Sequence, residues 1–170
     1  LERYLLVDGY NIINSWEELK EAAEDSLENA RIKLIDIMQD YQGYTGCKVI
    51  IVFDAHQTIG GMEKHETFGG VDVVYTRSHE TADHYIERWV DRMGRDAVIR
   101  VATSDLLEQT IVFSRGAVRV SARELRIEIQ RLKEEQQKEY IEKLDSKRNL
   151  LSEHISPAVL EKLEKWRRQR

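Results

Sequence analysis

Five short runs of β-branched and other apolar residues, set apart by segments of helical periodicity, constrain this chain more than any other feature. They are YLLV (4–7), KVIIVFDAH (48–56), VDVVYT (71–76), AVIRVATSD (97–105) and AVRVS (117–121). The first two are continuous rather than alternating in their apolar character, which is the pattern of strands covered on both faces. After the first run, Leu27, Ala30, Leu34, Ile37, Met38 and Tyr41 share one helical face, with Asp25 or Ser26 as cap and GYTG closing the segment. Ala82, Ile86, Trp89, Val90 and Met93 form a second stripe ended by Gly94, and LLEQTIVF (106–113) reads as a short third helix before Gly116. Strands that alternate with helices form βαβ units, so the expected fold is a three-layer α/β domain with a central parallel sheet. The stretch HQTIGGMEKHETFGG (56–70), with two Gly pairs around a polar centre, is expected as the longest loop.

Past the fifth run the pattern changes. Ser121 and Glu124 make a capping box, after which Leu125, Ile129, Leu132, Tyr140, Ile141 and Leu144 mark a long charged helix whose middle, KEEQQKE, offers little to bury. Ser156 and Pro157 open a last helix with Val159, Leu160, Leu163 and Trp166 on its inward side. The expected organisation is a core over residues 1–121 and a C-terminal helical extension over 122–170 that packs on or projects from it, within a single domain overall.

Composition narrows the function classes. No apolar run approaches the roughly 20 residues of a membrane span, and no G-x-G-x-x-G or P-loop follows a strand, so neither a membrane nor a dinucleotide cofactor is expected. The lone cysteine, Cys47, excludes an internal disulfide, suits a reducing cytoplasm and reads as a small core residue rather than a nucleophile. Net charge is −5, but its distribution is uneven. Residues 1–118 carry 12 Lys/Arg against 21 Asp/Glu, whereas residues 119–170 carry 14 against 10, an acidic body with a basic tail.

In an open parallel sheet, ligands sit beyond the carboxyl ends of the strands. There this sequence places Asp8 after the first strand, Asp54 after the second, Glu80 and Asp83 after the third and Asp105 after the fourth. Gathered carboxylates repel and raise one another's pKa unless a cation compensates. A hard divalent ion bound through oxygen does so, and suits hydrolysis of a phosphodiester by stabilising developing charge and activating water. Singly, each acid has a second reading as a helix cap or turn residue: Asp105 before LLEQTIVF is one case, and Thr81 before ADHYIERW offers a cap of its own. Asp54 has the alternative of orienting a turn with His56. Asn11 joins the same rim if DGYN curls after the strand, either holding a carboxylate or phosphate or making an Asx turn, with Gly9 allowing the tight path. Thr103 and Ser104 offer hydroxyls there, or satisfy the strand end.

LLVDGYN, VIIVFDAH, ETADHYIE and VATSD, in that order, resemble the NYN-domain ribonucleases, a branch of the PIN-like nucleases. Within them the likeness is to the YacP-type subfamily of ribosome-associated endoribonucleases of bacteria and plastids, and SARELRIEI and EKWRR extend it over essentially the whole chain. The resemblance implies a PIN-like fold, a Mg²⁺ or Mn²⁺ cofactor and endonucleolytic cleavage of single-stranded RNA. It further implies messenger RNA cut in the ribosomal A site, in the cytoplasm or a plastid stroma. Carried over by position, Asp8, Asp83 and Asp105 are the metal-binding, catalytic acids, with Glu80 and Asn11 beside them and Asp54 supporting, a role in which the hydroxyls of Thr103 and Ser104, read from the residues themselves, join it.

An acidic pocket still has to attract a polyanion. Arg115, Arg119, Arg123 and Arg126, around the fifth strand and the start of the long helix, are candidates to line a phosphate path, and Lys165, Arg167, Arg168 and Arg170 form a cluster suited to ribosomal RNA. The competing reading is that these charges solvate helix faces and pair with neighbouring glutamates. Tyr10 and Phe68 are placed to stack on bases or simply to pack, and His56, His65, His79 and His84 lack the spacing of a zinc site. Two other functions fit the same residues: a noncatalytic RNA- or ribosome-binding adaptor, distinguished by metal dependence, and a small-molecule phosphatase. The phosphatase commonly wants a second acid two residues after the first, where Tyr10 stands.

Overall fold

The structure, a computed structural model, describes residues 1–54, 61–104 and 116–169. Strands β1 (Glu2–Asp8), β2 (Lys48–Phe53), β3 (Lys64–Phe68), β4 (Val71–Tyr75), β5 (Ala97–Ala102) and β6 (Val118–Val120) form one sheet in the order β3-β4-β2-β1-β5-β6. All neighbours pair in parallel except β3, which runs antiparallel to β4 at one edge. The described helices are α1 (Gly9–Ser15), α2 (Glu17–Asp25), α3 (Leu27–Thr45), α4 (Ala82–Met93), α5 (Ala122–His154) and α6 (Pro157–Arg168).

Strand alternation builds the layers. Leu6 of β1, Ile50 and Val52 of β2, Val74 of β4 and Ile99 and Val101 of β5 pack with Ala82, Tyr85, Ile86 and Val90 of α4 in one buried cluster. The intervening residues Leu5, Val7, Val49, Ile51 and Phe53 face the other way, and α1 and α3 contact that side with Ile12, Ile13, Leu34, Met38 and Tyr41 all inaccessible. The continuous apolar runs are therefore central strands buried twice over.

Local signals set the boundaries. Ser26 caps α3 by accepting the Asn29 N–H, and Gly46 ends it in the left-handed conformation at φ 66°. Ser121 and Glu124 close their capping box, with Ser121 Oγ accepting from the Glu124 N–H at 3.0 Å and the Glu124 carboxylate from the Ser121 N–H at 2.7 Å. The expected loop over 56–70 is corrected over part of its length. Residues 64–68 form β3, joined to β4 by Gly69 and Gly70 at φ 54° and 88°, a pair that only glycines adopt without strain. Its sequence, KHETF, is almost wholly exposed, so it carries no apolar signature of a strand. The helix expected over 106–113 lies outside the described residues.

The chain divides into two compact units, Leu1–Ile129 and Gln130–Arg170. The first therefore runs past Ser121 to include the opening turns of α5, for a physical reason. Leu125 and Ile129 are buried, and Glu128 takes a bidentate ion pair from Arg100 of β5 at 3.0 and 2.7 Å while also accepting the Tyr41 hydroxyl at 2.9 Å. Trp16 adds a bond from its indole N–H to the Ala122 carbonyl at 2.8 Å. The second unit contains the rest of α5 and all of α6, whose Val159, Leu163 and Trp166 are exposed.

Candidate active site

The carboxyl edge of the sheet is level across its central strands. Asp8, the last residue of β1, pairs with Val52 of β2, and Val7 pairs with Ala102 of β5. Asp54 thus follows β2 two residues beyond the position opposite Asp8, and Thr103, next after Ala102, stands at the height of Asp8 with Ser104 one residue further. Alternation then fixes the side of Asp8, the last residue of β1, which continues from Leu6 the series that faces α4. Thr103 is fully buried and its N–H extends the ladder to Val120 at 3.1 Å, whereas Ser104 is exposed.

The segment DGYN turns directly from β1 into α1. Asp8 is the N-cap, its half-buried carboxylate accepting the Asn11 N–H at 3.4 Å. Gly9 is required by proximity rather than by a left-handed backbone, since a Cβ there would lie 2.3 Å from the Phe53 ring. The ring of Tyr10 tilts against Phe53 at 5.0 Å between centroids, and its hydroxyl accepts from Arg31 of α3 at 3.1 Å. Asn11 reaches across to β5, where its Oδ1 accepts the Ser104 N–H at 2.8 Å. The residues at the ends of β1 and β5 are thereby tied together.

The third contribution comes from α4. Thr81 caps it, accepting the His84 N–H at 3.2 Å, and puts half-buried Asp83 in the first turn, where a negative charge is stabilised by the helix dipole. Glu80, three residues earlier, is differently engaged. Its side chain is only 10% exposed and holds Arg77 Nε at 3.1 Å and Arg88 Nε at 3.1 Å. Two guanidinium groups already balance this carboxylate. Nothing in the sequence alone singles out Arg88. The available signal is its position eight residues after Glu80 on the helix that Glu80 precedes.

These features have counterparts in known proteins. Residues 5–168 match the YacP-like NYN domain. The chain belongs to the YacP-like NYN family. It is 44% identical to YacP of Bacillus subtilis (strain 168) over 165 residues, which is 96% of each protein. The crystal structure of Rae1 (YacP) from Bacillus subtilis shares 43% identity at a TM-score of 0.70, covering 97% of this chain and 94% of that one. The crystal structure of a point mutant of the same Bacillus subtilis protein gives 42% identity and a TM-score of 0.72 over 85% of this chain and 84% of that one. The fold is PIN-like, and membership of the NYN family associates the chain with nuclease and RNA-related function.

Within this NYN edge the candidate donors, Asp8, Asp54, Asp83, Asn11, Thr103 and Ser104, present oxygen and amide groups with no thiol or imidazole. That donor set fits a hard divalent cation better than zinc or copper. Among the described residues no three of His, Cys, Asp and Glu are grouped to hold a metal. Asp105 and Arg115 lie outside the described residues, as does His56. Of the remaining arginines, Arg123 is exposed in the first turn of α5, and Arg126 is committed to an ion pair with Glu18 and to the Trp16 ring at 5.4 Å. Arg119 of β6 pairs with Val101, on the α4 side, and its buried Nε has no hydrogen-bond partner among the described residues.

Proposed function

We propose that this NYN protein is a Mg²⁺- or Mn²⁺-dependent endoribonuclease that cleaves single-stranded RNA, with messenger RNA on the ribosome as its substrate. The observation that carries the reading is the common edge. Asp8 stands opposite Val52 near the end of β2 and one residue past the β1 partner of Ala102, Asn11 ties the β1 and β5 sides together, and α4, which carries Asp83 in its first turn, packs on the face that Leu6 and Val52 line.

In this reading Asp8 and Asp83, completed by Asp105, hold the cation, which would supply charge stabilisation at the scissile phosphate and an activated water. Asn11 orients the β5 end, with Thr103 and Ser104 in support, and Asp54 borders the site from β2. Arg119 and Arg123, with Arg115, receive backbone phosphates, and Tyr10 borders the path as an aromatic surface. Glu80 acts through the arginines it binds. The phosphatase reading is disfavoured because the position two residues after Asp8 is Tyr10, which packs on Phe53 and bonds to Arg31.

The test is incubation of labelled RNA, free and on translating ribosomes, with the protein and Mg²⁺, Mn²⁺ or EDTA, beside Asp83→Asn. Cleavage that needs the metal and disappears in the variant supports the reading. RNA binding without any cleavage assigns the chain to the noncatalytic adaptors, and equal cleavage by variant and parent removes Asp83 from the site.

A further inference from the structure

The connection from β4 to α4 passes through one residue in the left-handed region. His79 sits at φ 66°, the only non-glycine residue with positive φ among the described residues. The turn around it is closed by Thr76 Oγ1 donating to the Glu80 carbonyl at 2.7 Å, Glu80 N–H to the Arg77 carbonyl at 3.1 Å and Ser78 N–H to the Gly61 carbonyl at 3.3 Å. Over this turn lies Arg88. Its Nη2 is 2.9 Å from Glu80 Oε1 and 3.0 Å from Glu63 Oε2, its Nε is 3.1 Å from Glu80, and its guanidinium lies 5.1 Å from the Tyr85 ring centroid. One planar fork thus joins the segment leading into β3, the turn leading into α4 and α4 itself.

We infer that Arg88 is a positioning residue: by gripping Glu80 and Glu63 it fixes the turn over 76–81 and the first turn of α4, and so presents the Asp83 carboxylate to the edge that carries Asp8. Only the final step rests on the endoribonuclease reading. Glu80 is on this view the anchor of the clamp and no ligand, because both its oxygens already accept from guanidinium groups in a nearly buried setting. Bringing a cation to Glu80 would first require breaking those charge-assisted bonds. A lysine at position 88 can reach one carboxylate but cannot bridge two in a planar fork.

The experiment compares Arg88→Ala, Arg88→Lys, Glu80→Gln and Asp83→Asn with the parent. Its readouts are amide hydrogen exchange over residues 81–85, Mn²⁺ affinity by the electron paramagnetic resonance of free Mn²⁺, and kcat and KM for a labelled RNA. Arg88→Ala is expected to speed exchange in the first turn of α4 and to weaken both Mn²⁺ binding and kcat by about tenfold, the lower end of what losing an outer-shell partner costs. KM for RNA should change by less than twofold. Arg88→Lys should restore part of each effect, Glu80→Gln should resemble Arg88→Ala, and the two combined should be no worse than either alone, as for residues acting as one unit. Asp83→Asn should lose Mn²⁺ binding outright while its exchange stays near that of the parent. The inference is overturned if Glu80→Gln loses Mn²⁺ as completely as Asp83→Asn while Arg88→Ala does not, or if Arg88→Ala leaves exchange over 81–85 unchanged. A parent that neither binds Mn²⁺ nor cuts RNA would sink the nuclease reading, while the exchange measurement would still decide whether Arg88 holds the turn.

Discussion

Asn11 and Ser104, 93 residues apart in sequence, share a 2.8 Å hydrogen bond from the Ser104 N–H to the Asn11 side-chain oxygen. It joins the first turn of α1 to the residues that leave β5. Asn11→Ala should therefore lower stability by about 1 kcal/mol, the net worth of one such bond. It should lower RNA cleavage more steeply, by about 10- to 100-fold, because small misplacements at a reacting centre are costly. Asn11→Asp keeps the acceptor and should keep stability, but adds a charge beside Asp8 that raises neighbouring carboxylate pKa values and shifts the pH profile of cleavage upward. Chemical denaturation and a pH series of initial rates check both.

Gly9 and Phe53 make a second test. A methyl group at position 9 would overlap the Phe53 ring at 2.3 Å, so Gly9→Ala should destabilise by about 1–3 kcal/mol through overpacking. Phe53→Leu in the same chain should recover part of that loss, since it removes the atoms that clash. Urea midpoints of the two single variants and the double variant give the coupling directly. Strictly additive losses would show that the glycine is needed for some other reason.

Asp8 serves both as the α1 cap and, in the proposed reading, as a ligand, and one substitution separates the two. Asparagine caps helices about as well as aspartate, so Asp8→Asn should hold stability within ~0.5 kcal/mol of the parent. The missing charge should cost cleavage more than the ~100-fold that loss of an outer-shell partner produces. Thermal unfolding alongside single-turnover cleavage distinguishes these effects. A large fall in melting temperature would mean that the carboxylate is chiefly structural.

Arg119, in β6, and Arg126, in α5 just after it, predict opposite outcomes. In the proposed reading Arg119 receives a phosphate, so Arg119→Ala should weaken RNA binding and lower the slope of log affinity against log salt by about 0.7, one phosphate contact to a single strand. Arg126 is occupied by Glu18 and Trp16, and Arg126→Ala should leave that slope unchanged while costing under about 1 kcal/mol of stability. Fluorescence anisotropy with a labelled oligonucleotide at several salt concentrations measures both.

The parts of this fold that are legible in the sequence are those whose signal is local. The buried strands β1 and β2 announce themselves through continuous apolar runs, and α4 and α5 through their stripes and caps, because burial on a regular element imposes a period. β3 is not legible, since KHETF pairs through its backbone alone and buries almost nothing. At the site, the places of Asp8 at the end of β1 and Asp54 just past β2 follow from strand order, yet Glu80 and Asp83 look alike in the sequence. What separates them is a tertiary fact: Arg88 and Arg77 converge on the first and the helix N-terminus holds the second. Gly9 shows the same limit, because the need for a bare α-carbon comes from a ring on another strand.

The ion pairs around Arg88 also fix how stability responds to acid. Burial pushes the Glu63 carboxyl up, but the hydrogen bonds from His65 and Arg88 and the charge of Arg88 outweigh it and hold the group below the ordinary value of 4.5. A carboxyl whose folded pKa is depressed binds its proton more weakly when folded than when unfolded. Its contribution is therefore fully present above about 4.5 and is lost as pH falls through the lower folded value. The difference in stability between the parent and Arg88→Ala should accordingly be constant above about pH 5 and shrink below it, as protonation of Glu63 removes what the arginine was holding. Urea denaturation of both proteins across pH 3–7 would show it, and a gap undiminished at pH 3 would mean that Arg88 stabilises the fold by packing on Tyr85 rather than through its carboxylates.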